Sequence, residues 1–239
     1  MVTFQRARSK EQREARRQAI LDTAAAMLDE MPVSEVTLNE LSRRVGLAKS
    51  NVLRYFESRE AILLELLDQA WKQWLTDLER QLAPGQGETA GQRLETGKGG
   101  DRADSTVRER GDRTAAVIAG SLDAQHVLCD LLSAQSSVLE HNVSTEVVVR
   151  YKRASIANLK VLAGLVQGTV PELGDDDSLR VALMTLAFVT AIWPAACSSP
   201  SVLAAYDSDP DLAVMKVSFA EALTEGTSTI ISGTIARSR

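Results

Sequence analysis

The sequence predicts an all-α protein, and three observations lead to that prediction. Apolar residues recur at helical spacing through the long segments, as Ile62, Leu66 and Leu67 do. Proline, glycine or clusters of polar residues separate these segments, and none of them alternates apolar and polar residues as a strand does. The chain has 239 residues, 44% hydrophobic and 25% charged, which suits a globular protein with one large or two modest domains.

The first predicted helix covers residues 10–31, because Ile20 and Ala24 begin an apolar face at helical spacing. Pro32 ends it, since the residue before a proline avoids helical geometry. Residues 1–9 lack apolar periodicity, so we expect them to form a mobile basic arm.

Two short helices joined by a tight turn are predicted next. Thr37 and Glu40 have the spacing of a capping box, which places the start of the first helix. Gly46 ends that helix at a point where a left-handed residue can turn the chain sharply. The second helix begins at residue 49 or 50 and runs to Phe56. This arrangement is a helix-turn-helix, whose second helix enters the DNA major groove.

The second of these helices has an apolar side and a polar side. Val52 and Phe56, four residues apart, can face inward. The side chains left for the outside are Lys49, Ser50, Asn51, Arg54 and Tyr55. Lysine, arginine and hydroxyl groups suit phosphate oxygens, and asparagine or arginine suits base edges. On spacing alone, this face fits either DNA binding or an ordinary polar surface.

Residues 37–60 resemble the DNA-binding domain of the TetR family of bacterial transcriptional regulators. The resemblance is carried by Thr37, Leu41, Ser42, Gly46, Leu47, Ala48, Lys49, Phe56, Ser58, Arg59 and Glu60. It extends over about the first third of the chain, and beyond that it depends on helical pattern and length. The family often has tyrosine where this chain has Leu53, and an aromatic residue or histidine at Tyr55. Tyr55 is therefore expected to carry a phosphate contact usually shared between the two positions.

The resemblance implies a three-helix DNA-binding domain over residues 1–57, including the basic arm. A larger helical domain for ligand binding and dimerisation would follow over residues 58–239. The implied DNA-contacting residues are Thr37, Lys49, Ser50, Asn51, Arg54, Tyr55 and Arg59. The implied partner is a double-stranded, palindromic or pseudo-palindromic operator. A homodimer formed through the last two helices would bind it.

The distribution of charge agrees with a DNA-binding N-terminus. The net charge is -5, yet residues 1–60 hold 11 Lys and Arg against 9 Asp and Glu. The remainder holds 16 against 23, so positive charge is concentrated beside the helix-turn-helix, where it can neutralise phosphates. The Arg- and Lys-rich start lacks the apolar run of a signal peptide, so we expect a cytoplasmic location.

A long helix and an unusual segment follow. Ser58 is the predicted N-cap of a helix whose apolar face extends to Leu82. Residues 84–113 then hold seven of the chain's 14 glycines, with Leu94 and Val107 almost their only large apolar residues. Such a segment cannot bury enough surface to fold by itself, so we expect a flexible insertion.

Five further helices are predicted over residues 114–124, 126–140, 144–168, 178–197 and 209–234. The helix over residues 178–197 has apolar residues around nearly its whole circumference, which is typical of a helix buried on both sides. Its apolar run is interrupted by Thr185, Thr190 and Pro194, which leaves it too short and too broken for a membrane span. By resemblance, this helix and the last one pair with their mates in a twofold dimer.

An effector pocket is predicted among the helices of the second domain, and we expect it to be largely hydrophobic. Its candidate residues are Trp74, His126, Cys129, Asn142, Met184, Phe188 and Trp193, with Asn158 as a further polar candidate. Packing in the core is the alternative role for each of them.

Metal binding and catalysis find little support. His126 and Cys129 are three residues apart on a helix, but no nearby residue completes a set of three or four ligands. With two histidines and two cysteines in the chain, a nucleophile with its base is barely possible. We therefore expect no metal, no cofactor and no catalytic residues.

The function that these features favour is a repressor released from its operator by a small hydrophobic effector. One alternative is a DNA-binding dimer that responds to no effector. Another is a helical small-molecule-binding enzyme that retains a vestigial DNA-binding head.

Overall fold

The described part of the chain is built from helices, which confirms the predicted all-α fold class. The computed structural model describes the backbone of residues 2–83 and 99–238, and the side chains of residues 11–83 and 106–238. The α-helices are α1 (Val2–Glu30), α2 (Leu38–Val45), α3 (Lys49–Val52), α4 (Arg59–Leu82), α5 (Gly99–Asp123), α6 (His126–Ala134), α7 (Thr145–Thr169), α8 (Asp175–Ala196), α9 (Pro200–Ser208) and α10 (Phe219–Ser238).

The head consists of α1, α2 and α3, packed against the start of α4. Its core includes Ile20, Leu41 and Val52, each of which is fully buried. These are the apolar positions that the helical spacing places on inward faces, so the head folds around the face that the sequence predicts.

The body is formed by α5 to α10 around the remainder of α4. Helix α8 lies between α7 on one side and α10 and α6 on others, and α10 also packs along α5. Leu78 of α4 and Leu122 of α5 are fully buried where these helices join the core. Because α4 contributes to the cores of both head and body, it connects them mechanically, as its long apolar face predicts.

The predicted N-terminal arm is wrong, because α1 begins at Val2. Residues 2–9 contain no proline or glycine, and several of them are good helix formers. Once a helix is nucleated by its packed part, each added residue gains a backbone hydrogen bond without needing an apolar face.

The prediction of a flexible insertion over residues 84–113 is wrong for its second half, because α5 begins at Gly99. Val107 is 8% exposed and belongs to the core. A Cβ atom on Gly111 would lie 3.0 Å from Cγ2 of Ile231, so this glycine permits a close approach of α5 to α10. The first half of the predicted insertion, residues 84–98, lies outside the described residues.

The last helix begins later than predicted, at Phe219 rather than at residue 209. Helix α9, which the sequence reading missed, starts with Ser199 as its N-cap and a proline in its first turn. A short 3-10 helix, Pro210–Met215, follows it. Neither of these two elements buries a residue.

Helix α8 has 22 residues, and its most apolar 18-residue stretch has a mean hydropathy of 1.6. By length and composition alone this stretch could cross a membrane, although core helices of other proteins have the same length and composition. It packs against α6, α7 and α10, and 33% of its apolar stretch is buried within the single chain.

Candidate nucleic-acid interface

Helix α2 and the turn after it have the local structure that the sequence predicts. The Thr37 hydroxyl oxygen accepts a hydrogen bond from the backbone N–H of Glu40 at 3.2 Å. Gly46 has φ of 71°, the left-handed conformation that a residue with a Cβ adopts only with strain. The turn therefore places α3 at a fixed angle to α2, which is the requirement for presenting a recognition helix.

Helix α3 buries one side and exposes the other. Val52 is fully buried and Phe56 is 5% exposed, so both face inward as predicted. Regular helix ends at Val52 rather than at Phe56, but the turn continues, with backbone hydrogen bonds from Tyr55 and Phe56 to the Val52 carbonyl. The exposed residues are Lys49, Ser50, Asn51, Leu53 and Arg54, and Tyr55 is half-buried.

The polar side of α3 forms one wall of a groove against α1. The groove has a volume of about 560 Å³, and its lining includes Asn51, Arg54 and Tyr55 opposite Arg13 and Arg16. Three of these side chains are arginines, which are suited to bidentate contacts with phosphates and with guanine edges. The groove thus combines cationic donors with Asn51, whose amide can pair with adenine.

Two arginines near this face point into the protein instead. The Arg17 guanidinium pairs with the Glu65 carboxylate and lies 4.7 Å over the Phe56 ring. The Arg59 side chain is only 18% exposed, and it donates to the Val36 carbonyl at 2.9 Å. The structure therefore places Arg59, which the resemblance assigned to DNA contact, where it holds α4 to the segment before α2.

The acidic group nearest the start of α2 is neutralised within the head. Glu40 accepts hydrogen bonds from Arg43 and Arg44, which lower the pKa of its carboxyl to about 2. Arg44 also pairs with Glu30 at 2.7 Å. Thr37 lies exposed at the end of this cluster, and its hydroxyl hydrogen is left for a phosphate oxygen.

Hydrogen bonds from the body fix the angle of the head. Asn142 donates to a carboxylate oxygen of Glu60 at 3.2 Å, and the Ser144 backbone N–H donates to Glu57 at 2.5 Å. These contacts connect the segment before α7 to the residues that begin α4. Asn142, a predicted effector residue, thus lies at the junction of head and body.

Three of the predicted effector residues lie close to one another in the body. The His126 ring packs edge-on against Trp193 at 5.3 Å between centroids, and Trp193 packs in the same way against Phe219 at 5.0 Å. Cys129 is fully buried one turn along α6, and burial raises the pKa of its thiol to about 12. Its thiol donates to the Leu122 carbonyl at 3.5 Å, which is a packing role.

The other candidates are dispersed. Trp74 is 1% exposed and donates from its ring N–H to the Ser121 hydroxyl at 2.9 Å. Met184 is 45% exposed on the outer side of α8. Phe188 packs so closely on α10 that a Cβ atom on Gly226 would lie 2.4 Å from its ring. The structure therefore does not bring the seven predicted residues together around one pocket.

Among the described residues, no group of three or more His, Cys, Asp or Glu side chains is arranged to hold a metal ion. Asn158, the additional polar candidate, is 4% exposed and donates to Asp68 at 3.0 Å.

Comparison with known protein families accounts for most of the chain. Residues 20–66 match the sequence model described as bacterial regulatory proteins, tetR family. Residues 68–238 match the model described as tetracyclin repressor-like, C-terminal domain. The two matches together cover the head and the body, and they meet within α4.

Individual relatives support the same assignment at lower coverage. The transcriptional regulator EthR of Mycobacterium tuberculosis is 36% identical over 55 residues, which is 23% of this chain and 26% of that protein. The EthR of Mycobacterium bovis matches to the same extent. The match thus spans about a quarter of the length of these curated relatives. A crystal structure of a TetR transcriptional regulator from Rhodococcus sp. RHA1 superimposes on this chain with a TM-score of 0.52 at 10% sequence identity. The superposition covers 92% of this chain and 95% of that one, and at this identity the similarity shows the fold.

Proposed function

The chain belongs to the TetR family of DNA-binding transcriptional regulators, and from that premise we propose that it is a repressor released from its operator by a small hydrophobic effector. The observation that carries the DNA contact is the groove between α1 and α3. In it, Asn51 and Arg54 face Arg13 and Arg16 across one continuous surface of donors. We propose no catalytic role for it, and we expect it in the cytoplasm.

We propose that the residues in and around the groove fall into two sets, one contacting base edges and the other contacting phosphates. Asn51 and Arg54, on α3, enter the major groove and read base edges. Lys49, Ser50, Tyr55 and the hydroxyl of Thr37 contact phosphates, as do the groove arginines of α1, Arg13 and Arg16. Arg59 is left out because its guanidinium is engaged within the head.

A homodimer is proposed through α8 and α10, the helices that the sequence predicts to be the last two. The outer side of α8 carries Leu183, 56% exposed, and Met184, 45% exposed, above the small residues Ala187 and Ala191. An apolar stripe of this kind favours pairing with a second copy. To enter successive major grooves, the two α3 helices of the dimer have to lie about 34 Å apart, and the twofold symmetry of the dimer requires a palindromic or pseudo-palindromic operator.

The effector is proposed to bind in the body and to act on the head through α4. Candidate contacts are Trp193 and His126, which touch each other, together with Trp74, whose helix reaches the head. A ligand can release DNA only if it binds the DNA-free conformation more tightly than the bound one. An effector-free DNA-binding dimer is the alternative, because the predicted pocket residues are dispersed.

Selection of binding sites from a random pool of duplex DNA tests the DNA-binding proposal. We expect an inverted repeat to be enriched. Asn51→Ala or Arg54→Ala should relax discrimination at one position of each half-site by about 1–3 kcal/mol. Lys49→Ala should weaken all sequences evenly and reduce the salt dependence of binding by about one phosphate contact.

Lys160→Gln provides the control, because it removes one exposed positive charge from α7, away from the groove. Binding by the Asn51 and Arg54 variants with unchanged sequence preference would contradict the proposed role of α3. The effector proposal is tested by ligand quenching of tryptophan fluorescence together with DNA release, repeated with Trp193→Phe and Trp74→Phe. If no compound in a panel of apolar metabolites released DNA, the effector-free alternative would be favoured.

A further inference from the structure

A cleft of about 390 Å³ lies between α1, α4 and α7, on the side of the molecule where the head meets the body. Its charged lining consists of Arg17 from α1, Glu65, Asp68 and Lys72 from α4, and Arg150 from α7. Tyr151 of α7 also lines it. None of the seven predicted effector residues belongs to this cleft.

Both carboxylates of the cleft already have partners. Glu65 pairs with Arg17. Asp68 pairs with Lys72 at 2.6 Å and accepts a hydrogen bond from Asn158 at 3.0 Å. Neither carboxylate therefore requires a cation from a ligand.

The polar groups left over include two hydrogen-bond donors, Arg150 and Tyr151, beside the exposed amide of Gln69. Tyr151 is 4% exposed, and its buried hydroxyl has no hydrogen-bond acceptor among the described residues, because the nearby Ser155 hydroxyl donates its own hydrogen to the Tyr151 backbone carbonyl at 3.0 Å. Arg150 is exposed and forms no ion pair with any side chain in the described part of the chain. Burial of the phenol raises the pKa of Tyr151 well above its ordinary value, so the hydroxyl stays protonated at neutral pH and can donate. A buried donor without an acceptor is costly, and an acceptor supplied by a ligand removes that cost.

We infer that this cleft binds a small organic carboxylate, whose oxygens accept hydrogen bonds from Arg150 and from the Tyr151 hydroxyl. The apolar part of the ligand lies against Leu64 and Val147, which line the same cleft. The volume is near the lower limit for small-molecule sites, so an acid with one ring fits better than a large one.

The position of the cleft gives such a ligand access to the head, and this step rests on the proposed DNA-binding function. Arg17 forms part of the cleft wall and covers the Phe56 ring that follows α3. A bound carboxylate offers Arg17 a second acceptor in competition with Glu65. Movement of Arg17 toward the ligand uncovers Phe56 and loosens the packing of α1 against the recognition turn.

Isothermal titration calorimetry of the full chain without DNA tests the site, with benzoate as the probe and benzamide as its neutral isostere. Benzoate is expected to bind, and benzamide is expected to bind at least about tenfold more weakly, because Arg150 contributes a charge-assisted contact. Arg150→Gln and Tyr151→Phe should each weaken benzoate binding about tenfold. Lys160→Gln removes a positive charge from the same helix outside the cleft and should leave benzoate affinity unchanged.

The melting temperature of Tyr151→Phe without benzoate gives a second measurement. It should equal or exceed that of the parent chain, because the substitution removes a buried hydroxyl that has no partner. A lower melting temperature would show that the hydroxyl is already satisfied and would overturn the inference. Absence of benzoate binding to the parent chain, or a benzoate affinity in both cleft variants equal to that of the parent chain, would overturn it as well.

A DNA-binding assay keeps this inference separate from the proposed function. If the chain binds its selected DNA but calorimetry detects no benzoate, the cleft site is wrong and the regulator proposal stands. If benzoate binds through Arg150 and Tyr151 but the chain selects no DNA sequence, the cleft site stands and the DNA-binding proposal fails.

Discussion

The contact between α8 and α10 provides a quantitative test of the packing in the proposed dimer helices. A Cβ atom at Gly226 would lie 2.4 Å from Cε1, 2.8 Å from Cδ1 and 2.9 Å from Cζ of Phe188. A Cβ atom at Gly164, in α7, would meet nothing within 4 Å. Both glycines lie within helices. Gly226→Ala and Gly164→Ala are therefore a matched pair that differs in the space around the added methyl group.

The expected change in the free energy of unfolding of each variant is the sum of two opposing effects. Replacing glycine with alanine in a helix interior stabilises the folded state by about 1 kcal/mol at either position. At Gly226 the ring edge of Phe188 has to move by about 1 Å to restore ordinary contact, and overpacking of this kind costs about 1–3 kcal/mol. We therefore expect Gly164→Ala to be stabilised by up to about 1 kcal/mol, and Gly226→Ala to be less stable than Gly164→Ala by about 1–3 kcal/mol.

Urea denaturation followed by circular dichroism measures both variants, at one protomer concentration because the stability of a dimer depends on concentration. Phe188→Leu should reduce the penalty at Gly226 in a double-mutant cycle, since the shorter side chain leaves room for the methyl group. If Gly226→Ala is as stable as Gly164→Ala, α8 and α10 are not in close contact there.

Three further predictions concern single side chains. Ser121→Ala leaves the buried Trp74 N–H without its acceptor and should destabilise the fold by about 1–3 kcal/mol in urea titrations. Exposed Cys197 should react with a thiol reagent in the native protein, whereas Cys129, whose pKa burial raises to about 12, should react only after denaturation. The arginine contacts lower the pKa of Glu40 from 4.5 to about 2, so the ionised Glu40 carboxylate stabilises the fold above pH 4.5 and this stabilisation is lost as pH falls toward 2. The urea midpoints of the parent chain and of Glu40→Gln should therefore converge as the pH is lowered.

The sequence was sufficient to predict the helix-turn-helix because its signals are local. Thr37 and Ser58 act as N-caps, and Gly46 has the left-handed conformation, since each needs only the residues within a few positions of it. The inward placement of Val52 and Phe56 follows from the helical period alone.

Residues whose roles depend on distant partners could not be assigned in this way. From the sequence, Gly111 belongs to a predicted flexible segment. In the structure, its lack of a side chain allows close contact with Ile231, which is far away in sequence. The resemblance implies that Arg59 contacts DNA, but its acceptor before α2 becomes visible only in three dimensions, as does the acceptor of Arg17 on α4. Arg13, one turn before Arg17, and Arg16, one residue before it, both line the groove against α3. A rotation of about 100° per residue thus separates a proposed phosphate contact from an internal ion pair.

The contacts between head and body show why α4 cannot by itself set the angle of the head. Asp130 of α6 accepts a hydrogen bond from the Val33 backbone N–H at 2.7 Å, on the segment between α1 and α2. The residues before α7 hold Glu57 and Glu60 at the start of α4. Between these two attachments lies a π-helical turn, Gln135–Leu139, a geometry that is costly and is often found at functional sites. If the proposed effector shifts the connection between α6 and α7, we therefore expect both attachments to move together and the head to tilt as a unit.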